Sequence, residues 1–384
     1  MNFEFTAPNR IIFGNGALSK VRDIAGELGL KTLVVCGGGS VPTDELLRYL
    51  NEAGTTIEIF RVEHEPDVPT IEAGLAKARA TKSDFVVGYG GGSVLDTGKA
   101  IAAMLTNPGD LQDYLEVIGG GQKIPEQPAP MIAIPTTAGT GTEVTRNAVV
   151  ASPEHKVKVS MRSPMMIPPV AIIDPELTYT LPPSVTASTG MDALTQVVEA
   201  YVSIKSNPMT DAVAKEGIKR GAHSLLRAYR NGGDMDARED MALTSLFGGL
   251  ALANAGLGAV HGFAGPIGGM FDAPHGVICA SLLPYVMKYN VRTITDMDGY
   301  ADYCRRYEQI AQWVTSNEKA TIQDGVAWFK DLAEALDIPR LRDIGIGKDD
   351  FDRIIEKARV SSSMQKNPVR LDDATLKMIL TEAY

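Results

Sequence analysis

Short apolar runs alternate with amphipathic stretches over the first 180 residues. The β-branched run at 31–35 predicts a strand, and the spacing of apolar positions over 44–53 predicts the helix after it. The same reasoning predicts strands at 56–61, 85–87, 131–134 and 170–173, and helices at 70–81 and 94–105. Strands that alternate with helices in this way indicate an α/β domain, a doubly wound and mostly parallel sheet with helices on both faces.

Beyond residue 180 the pattern becomes helical throughout. Long amphipathic stretches occupy 187–202, 210–230, 237–255 and 300–315. A chain of 384 residues also exceeds what a single hydrophobic core usually organises. The sequence therefore predicts an α/β domain over 1–180, followed by an all-helical domain over 181–384.

Two glycine clusters follow predicted strands. Glycines at such a junction let the backbone approach a pyrophosphate, and the N–H groups at a helix start favour its negative charge. The strand at 85–87 leads into the first cluster, Gly90, Gly91, Gly92 and Ser93, which predicts a phosphate site, although a flexible turn without a ligand is the alternative. The second cluster is either a plain turn or a loop near the adenosine end, and it consists of Gly37, Gly38, Gly39 and Ser40.

A third polar loop follows the strand at 131–134 and is rich in hydroxyl groups and glycines. Its threonines include Thr136, Thr137 and Thr142, whose hydroxyl groups can bond ribose or phosphate oxygens. Loops that follow parallel strands of one sheet lie at the same carboxyl edge, where ligands bind. We therefore expect this loop to join the first glycine cluster.

A candidate metal site comes from the helical half. Asp192 and Gln196 are four residues apart on one predicted helix, so both project from the same face. His261 and His275 lie in glycine-rich, apolar surroundings rather than on a charged surface. Two imidazoles and a carboxylate suit zinc, iron or manganese. The alternative is that these histidines are ordinary core residues.

Charge and cysteine content narrow the class of protein. A net charge of −10 argues against nucleic-acid and anionic-membrane partners, which need a basic surface. We find neither a membrane-spanning apolar run nor the charge order of a signal peptide at the N-terminus. Three cysteines are too few and too scattered for a disulfide framework or a thiolate zinc site, which favours a reducing compartment, the cytoplasm.

Several motifs together resemble the iron-containing (group III) alcohol dehydrogenases, with glycerol dehydrogenases and dehydroquinate synthases as more distant relatives. The resemblance extends over nearly the whole chain. It rests on the segments FGNG at 13–16, GGGSVLD at 90–96, IPTTAGTGTEV at 134–144, GMDALT at 190–195 and PHG at 274–276.

The resemblance implies an NAD(P)-dependent enzyme that interconverts a small alcohol and its aldehyde or ketone, with a divalent metal beside the nicotinamide. It also implies that the domain over 1–180 binds the dinucleotide, that the helical domain over 181–384 binds metal and substrate, and that the protein is a homodimer or a larger homo-oligomer. On the cofactor side the implied residues are Gly90 to Ser93 and Asp96 at the pyrophosphate, Thr136, Thr137 and Thr142 at the adenine and ribose, Lys158 at the nicotinamide end, and Leu181. The implied metal ligands are Asp192, His261 and His275, and the implied catalytic residues are Lys158, His261 and His275.

Three positions depart from the family pattern. Gln196 replaces a usual histidine ligand, and we keep it in the predicted ligand set as a weaker amide donor that binds ferrous iron less tightly, so that occupancy by Fe²⁺, Zn²⁺ or Mn²⁺ is open. Gly265 replaces a histidine associated with proton relay. Gly37 stands where NAD-specific members have an aspartate, and no acidic residue follows until Asp44, so NADP is admissible beside NAD.

Two rival functions use the same features. A dehydroquinate synthase-like lyase needs a basic cluster for its substrate, and near the proposed site we find mainly Lys158 and Arg162. A non-catalytic nucleotide-binding protein with a decayed metal site would explain Gln196 and Gly265, but not the presence of both His261 and His275. The sequence therefore favours metal-assisted hydride transfer.

Overall fold

The computed structural model describes residues 2–38, 42–152, 154–155, 157–271, 273–295 and 297–384. The strands in this part of the chain are β1 (Arg10–Phe13), β2 (Lys31–Gly37), β3 (Thr56–Val62), β4 (Phe85–Gly90), β5 (Met131–Pro135), β6 (Asn147–Ser152), β7 (Val157–Arg162) and β8 (Val170–Ile173). The α-helices are α1 (Val21–Leu28), α2 (Asp44–Glu52), α3 (Val68–Thr81), α4 (Gly92–Thr106), α5 (Leu111–Tyr114), α6 (Pro183–Val202), α7 (Pro208–Arg230), α8 (Met235–Ala255), α9 (Ala259–Met270), α10 (His275–Ile294), α11 (Ala301–Thr315), α12 (Ile322–Ala335), α13 (Phe351–Arg359) and α14 (Asp373–Ala383).

The chain divides into two compact units. One contains Thr6–Thr180, and the other contains Leu181–Tyr384 together with the N-terminal residues up to Phe5. A sheet with flanking helices forms the first unit, and helices form the second. This architecture confirms the predicted fold class. The assignment of a ligand to each unit stays a prediction.

Six parallel strands form the main sheet, in the order β1-β8-β5-β4-β2-β3. The chain passes from β2 outward to β3, and then returns to place β4 on the other side of β2. Strand order therefore reverses between β2 and β4. In sheets of this kind, ligands bind outside the carboxyl ends of the strands at such a reversal. The predicted glycine clusters follow these two strands.

Side chains on alternate positions of the sheet enter two separate cores. Leu33 and Val35 of β2 belong to the core that contains residues of α3 and α4. Val34 and Cys36 belong to the core that contains residues of α1 and α2. All four side chains are buried, because helices cover both faces of the strand. This burial explains the continuous apolar run in the sequence.

The structure adds strands that the sequence pattern did not predict. Short β1 pairs in parallel with β8 at one edge of the sheet. Strands β6 and β7 pair with each other as an antiparallel hairpin, separate from the main sheet. Burial alternates along β6, which is a strand signal with a period of two residues. The hairpin packs against α4, with the result that α4 is buried along most of its length.

The helical unit is organised around α6. Helices α7, α8 and α10 all pack against α6, and α7 also packs against α8. Prolines lie at the starts of α6 and α7 and inside α9 and α10. Among the described residues, no single helix is long and apolar enough to cross a membrane, and only α8 and α9 together, bent by 98°, meet the length and composition of a span.

Three buried charged groups lie between α4 and the chain that leads into the hairpin. Lys99 of α4 lies 3.2 Å from Asp96 Oδ1 and donates to Thr145 Oγ1 at 3.0 Å. Burial lowers the pKa of Lys99 and raises that of Asp96. Burial also raises the pKa of Glu143 from 4.5 to about 7, although Lys99 opposes this shift. Glu143 is therefore a carboxyl group that is only partly ionised near pH 7.

We expect Glu143 to make the stability of the protein depend on pH. Its raised pKa means that unfolding releases a proton, so the protein loses stability as pH rises from 4.5 to about 7. Glu143→Gln should remove up to about 3 kcal/mol of that dependence. Melting curves measured from about pH 5 to 8 should show the Tm of the variant gaining on that of wild type as pH rises. Glu126→Gln, at an exposed position, is the control, and parallel curves for Glu143→Gln would contradict the assignment.

Candidate functional site

The turn between β4 and α4 presents a bare backbone. Gly91 is the N-cap of α4, and no side chain caps the helix start. A Cβ on Gly90 would lie 2.6 Å from Val94 Cγ2, and one on Gly92 would lie 2.8 Å from Thr140 Cγ2. Neither position has room for a side chain without rearrangement. The turn therefore keeps backbone N–H groups accessible at the positive end of a helix, a suitable arrangement for a phosphate.

The threonine-rich loop after β5 lies against this turn, as the sequence analysis expected. Thr136 N donates to the Gly90 carbonyl at 3.0 Å. The Thr137 side chain lies 3.4 Å from where a Cβ on Gly91 would be. Thr136 and Thr142 are buried. The two loops thus form one polar surface at the carboxyl edge of the sheet.

The turn after β2 has a mixed charge environment. Gly37 ends β2, Gly38 follows, and the predicted residues Gly39 and Ser40 lie outside the described part of the chain. Arg61 Nη1 donates to the Gly37 carbonyl at 3.4 Å. Glu63 Cγ lies 3.6 Å from where a Cβ on Gly38 would be. No acidic residue follows Gly37 along the chain until Asp44, but the fold brings Glu63, which directly follows the neighbouring strand β3, to this turn.

Three other predicted cofactor residues lie at separate places. The carboxylate of Asp96 pairs with Lys99 inside the fold. Lys158 on β7 forms an ion pair with Glu65, and its side chain is largely buried. Leu181 begins the helical unit, two residues before α6. Contact of these residues with a cofactor stays a prediction.

Three predicted metal ligands meet in the helical unit. Asp192 lies within α6, His261 is the third residue of α9, and His275 is the first residue of α10. Asp192 Oδ1 is 3.1 Å from His261 Nε2 and 3.8 Å from His275 Nε2. Oxygen and nitrogen ligands of one tetrahedral ion, each at about 2.0 Å, are about 3.3 Å apart. The observed separations bracket that value, so the three atoms fit a shared cation.

Glu199 orients one of these ligands. Its Oε2 accepts from His261 Nδ1 at 2.7 Å, and its Oε1 accepts from Val260 N at 2.6 Å. Because Nδ1 donates to Glu199, Nε2 is the atom that faces Asp192. In the protonated imidazole Nε2 donates to Asp192, and in the neutral imidazole it has the lone pair that binds a metal ion. A histidine ligand that donates its other nitrogen to a carboxylate is the usual support of a protein metal site. The sequence analysis missed Glu199, although it lies seven residues after Asp192 on the same helical face.

The ionisable groups at this site together favour the binding of a positive charge. Burial disfavours the ionised form of Asp192, but the hydrogen bond from His261 and the charge of His275 hold its pKa below the usual range. Burial would also lower the pKa of His261, yet its neighbours Cys279, Asp192 and Glu199 raise it well above its ordinary value. The site therefore takes up positive charge, either as a proton or as a metal ion. The donor set fits a divalent metal.

Close helix packing brings His275 to α6. A Cβ on Gly276 would lie 2.1 Å from the carbonyl oxygen of Ser188, one helical turn before Asp192. Only glycine allows α10 to begin this close to α6. The same packing places Cys279, one turn after His275, in a group with Asp192, His261 and His275 whose ligand atoms all lie within 4.8 Å of one another. The spacing of four residues between His275 and Cys279 is the signal that the sequence analysis overlooked.

Gln196 and Gly265, the two residues of the helical unit that depart from the family pattern, have different surroundings. Gln196 Nε2 donates to Asp192 Oδ2 at 3.2 Å, so the amide group is part of the site. Its role as a metal ligand stays a prediction. Among the described residues, no atom lies within 4 Å of where a Cβ on Gly265 would be, so these residues leave the face of α9 one turn beyond His261 open there.

Comparisons with known proteins agree over the whole chain. The family described as iron-containing alcohol dehydrogenase matches residues 8–175, and the C-terminal domain of the Fe-containing alcohol dehydrogenase family matches residues 186–384. The chain is 37% identical to 1,3-propanediol dehydrogenase of Klebsiella pneumoniae, covering 100% of this chain and 99% of that protein. It is 34% identical to an NADPH-dependent butanol dehydrogenase of Clostridium saccharobutylicum, covering 99% and 97%.

A solved structure shows the same architecture. The crystal structure of a 1,3-propanediol oxidoreductase superposes with a TM-score of 0.93 and 36% sequence identity, and the match covers 100% of both chains. Both family domains, both relatives and this structure lead to one conclusion. The chain belongs to the iron-containing alcohol dehydrogenase family.

Proposed function

We propose that this chain catalyses reversible hydride transfer between a nicotinamide dinucleotide and a small alcohol or its aldehyde or ketone, assisted by a divalent cation. The observation that carries the proposal is the meeting of Asp192, His261 and His275 at distances suited to one cation. Membership of the family implies NAD(P) and a divalent metal. Relatives described as 1,3-propanediol and butanol dehydrogenases support a small alcohol as substrate.

The residues of the helical unit have distinct parts in this chemistry. A bound divalent cation supplies Lewis acidity toward the substrate oxygen, and the nicotinamide supplies or accepts the hydride. Asp192, His261 and His275 hold the cation, and Glu199 keeps the proton of His261 on Nδ1. Since the His275 side chain is 36% exposed while that of Asp192 is 3% exposed, a substrate oxygen approaches from the His275 side.

The backbone of the β4–α4 turn is the proposed binding site for the cofactor pyrophosphate. No side chain competes with a phosphate for the N–H donors of this turn, and the loop at 136–142 adds hydroxyl groups that can bond ribose. We also propose that Lys158 contacts the nicotinamide end of the cofactor. In the same proposal, Leu181 and Asp96 contact other parts of the cofactor.

Cofactor choice follows from the turn after β2. Gly37 has no carboxylate to repel a 2′-phosphate, and the Arg61 guanidinium beside it supplies positive charge, whereas Glu63 nearby opposes it. We infer that the enzyme uses both cofactors and prefers NADP(H). The relative from Clostridium saccharobutylicum is described as NADPH-dependent, which supports this inference.

Proton transfer does not use a side chain at position 265. The open space beside Gly265 leaves room for water one turn beyond His261. We infer that water there carries the proton of the alcohol.

A cytoplasmic location and a homodimeric or larger assembly are also part of the proposal. We propose the cytoplasm because all three cysteines are free thiols.

The proposed activity is tested by net turnover. Metal-loaded protein is mixed with NADPH or NADH and a panel of short-chain aldehydes and ketones, and the loss of reduced nicotinamide is compared with the alcohol formed. We expect one nicotinamide oxidised for each alcohol. A lyase that uses its nicotinamide transiently would show no net consumption, and a non-catalytic protein would bind the dinucleotide without turnover. Either result would overturn the proposal.

Removal of the metal should abolish most of the activity. We expect chelator-treated protein to lose a factor on the order of a hundred or more in kcat, because the cation contributes several kcal/mol to charge stabilisation. Zinc, manganese or ferrous iron added back should restore turnover. Metal content and activity are measured on the same samples, and full activity in metal-free protein would contradict the role of the cluster.

Glu199→Gln should weaken metal binding by about 10- to 100-fold, because His261 loses its charged hydrogen-bond acceptor. Competition titration with a chromophoric chelator measures the affinity. Glu216→Gln, whose side chain is half exposed on α7, is the matched control. Because Glu199 also accepts from the start of α9, the Tm of both variants is compared. Unchanged affinity in a folded Glu199→Gln protein would show that Glu199 does not orient the ligand.

Gly37→Asp should shift preference from NADP(H) toward NAD(H). A carboxylate at the end of β2 repels a 2′-phosphate and accepts from a ribose hydroxyl, which corresponds to about a tenfold to hundredfold change in the ratio of kcat/KM for the two cofactors. The ratio is measured with one substrate at one salt concentration. Gly37→Asn has nearly the same size without the charge and should change the ratio much less. Equal ratios in wild type and Gly37→Asp would place Gly37 away from the 2′ position.

A further inference from the structure

Cys279 occupies a position that no expected ligand set includes. It is buried on α10, one helical turn after His275. Its Sγ lies 3.8 Å from His261 Nε2 and 3.7 Å from His275 Nε2. Together with a carboxylate oxygen of Asp192, these ligand atoms form a group within 4.8 Å. The thiol therefore faces the same point in space as the two imidazoles and the carboxylate.

The sulfur distances fit a shared metal ion. Zinc binds thiolate sulfur at about 2.3 Å and imidazole nitrogen at about 2.0–2.1 Å. Around a tetrahedral ion such ligands stand about 3.6 Å apart, from the same bond lengths. The two observed separations, 3.7 and 3.8 Å, are within a few tenths of an ångström of that value. Only small movements would be needed to enclose an ion.

Gln196 and Cys279 contact the site in different ways. A carboxylate oxygen can only accept, so the amide group that meets Asp192 Oδ2 must present its nitrogen. The amide oxygen then points toward α8, where a Cβ on Gly248 would lie 2.8 Å from it. Gln196 thus supports Asp192 through a hydrogen bond, while its oxygen is directed to the neighbouring helix.

We propose that Cys279, as a thiolate, is the fourth protein ligand of the metal, in a set with Asp192, His261 and His275. The inference rests on the proposed metal site and specifies its composition. On binding, the thiol proton passes to solvent and the sulfur lone pair forms the bond to the metal. Two anionic ligands then balance the charge of a divalent ion, and the substrate oxygen would join them as a fifth ligand. A soft thiolate also strengthens the preference of the site for zinc over ferrous iron.

Cobalt substitution of the full-length protein tests the bond directly. We expect the Co²⁺ form of wild type to show an intense near-ultraviolet thiolate-to-cobalt charge-transfer band. Cys279→Ser should lose that band and bind zinc at least about tenfold more weakly. Cys304→Ser, which removes a partly exposed cysteine on α11, is the matched control and should keep both properties. A band that persists in Cys279→Ser would overturn the proposal.

X-ray absorption at the zinc edge of the unmodified protein makes the test independent of whether the variant folds. We expect one sulfur scatterer at about 2.3 Å and nitrogen or oxygen scatterers at about 2.0–2.1 Å. A coordination sphere of nitrogen and oxygen alone would overturn the cysteine ligand. If turnover then still depended on metal, the proposed dehydrogenase would stand without it. Absence of both metal binding and turnover would overturn the proposed function itself.

Discussion

The helical unit depends on hydrogen-bond donors that compensate the negative charge of two buried carboxylates. These are Asp192 and Glu199, which lie on one face of α6. A buried ion left without partners costs several kcal/mol, so the surrounding helices must supply donors. His261 serves both groups at once, with Nε2 toward Asp192 and Nδ1 toward Glu199. The first backbone amides of α9 reach Glu199 as well, where the positive helix end favours a negative charge. The start of α9 is therefore held in place by charge rather than by apolar packing alone.

Close backbone contacts make this compensation possible. Gly276 lets the first turn of α10 reach Ser188 of α6. Gly258, the N-cap of α9, lies so near Glu199 that a Cβ would stand 2.9 Å from Oε1. At both helix starts a larger residue would push away a segment that carries a ligand. The precision of the site thus comes from backbone approach, since imidazole and thiol groups reach only a few ångströms from their own helix.

The two units offer candidate sites for opposite charges, and they form these sites by different means. In the sheet unit, bare N–H groups at the β4–α4 turn form a place for an anion, and no side chain has to be ordered for it. Beneath the turn, Lys99 is locked to Asp96 and to the hairpin side of the fold, so this lysine is structural. In the helical unit, side chains from three helices converge on a place for a cation. The hydride transfer proposed for this chain would use both kinds of site.

The sequence by itself determined the alternating strands and helices, the glycine turn at Gly90 to Ser93, and the choice of Asp192, His261 and His275 as candidate metal ligands. These features depend on local periodicity, on backbone freedom and on the chemistry of single residues. Only the tertiary structure decided that Glu199 holds His261, 62 residues away along the chain, that Glu63 lies beside Gly38, and that Cys279 faces the two histidines. Those neighbours are set by the rotation and closeness of helices and strands against one another. Local patterns carry no information on that rotation, because it results from the packing of the whole unit.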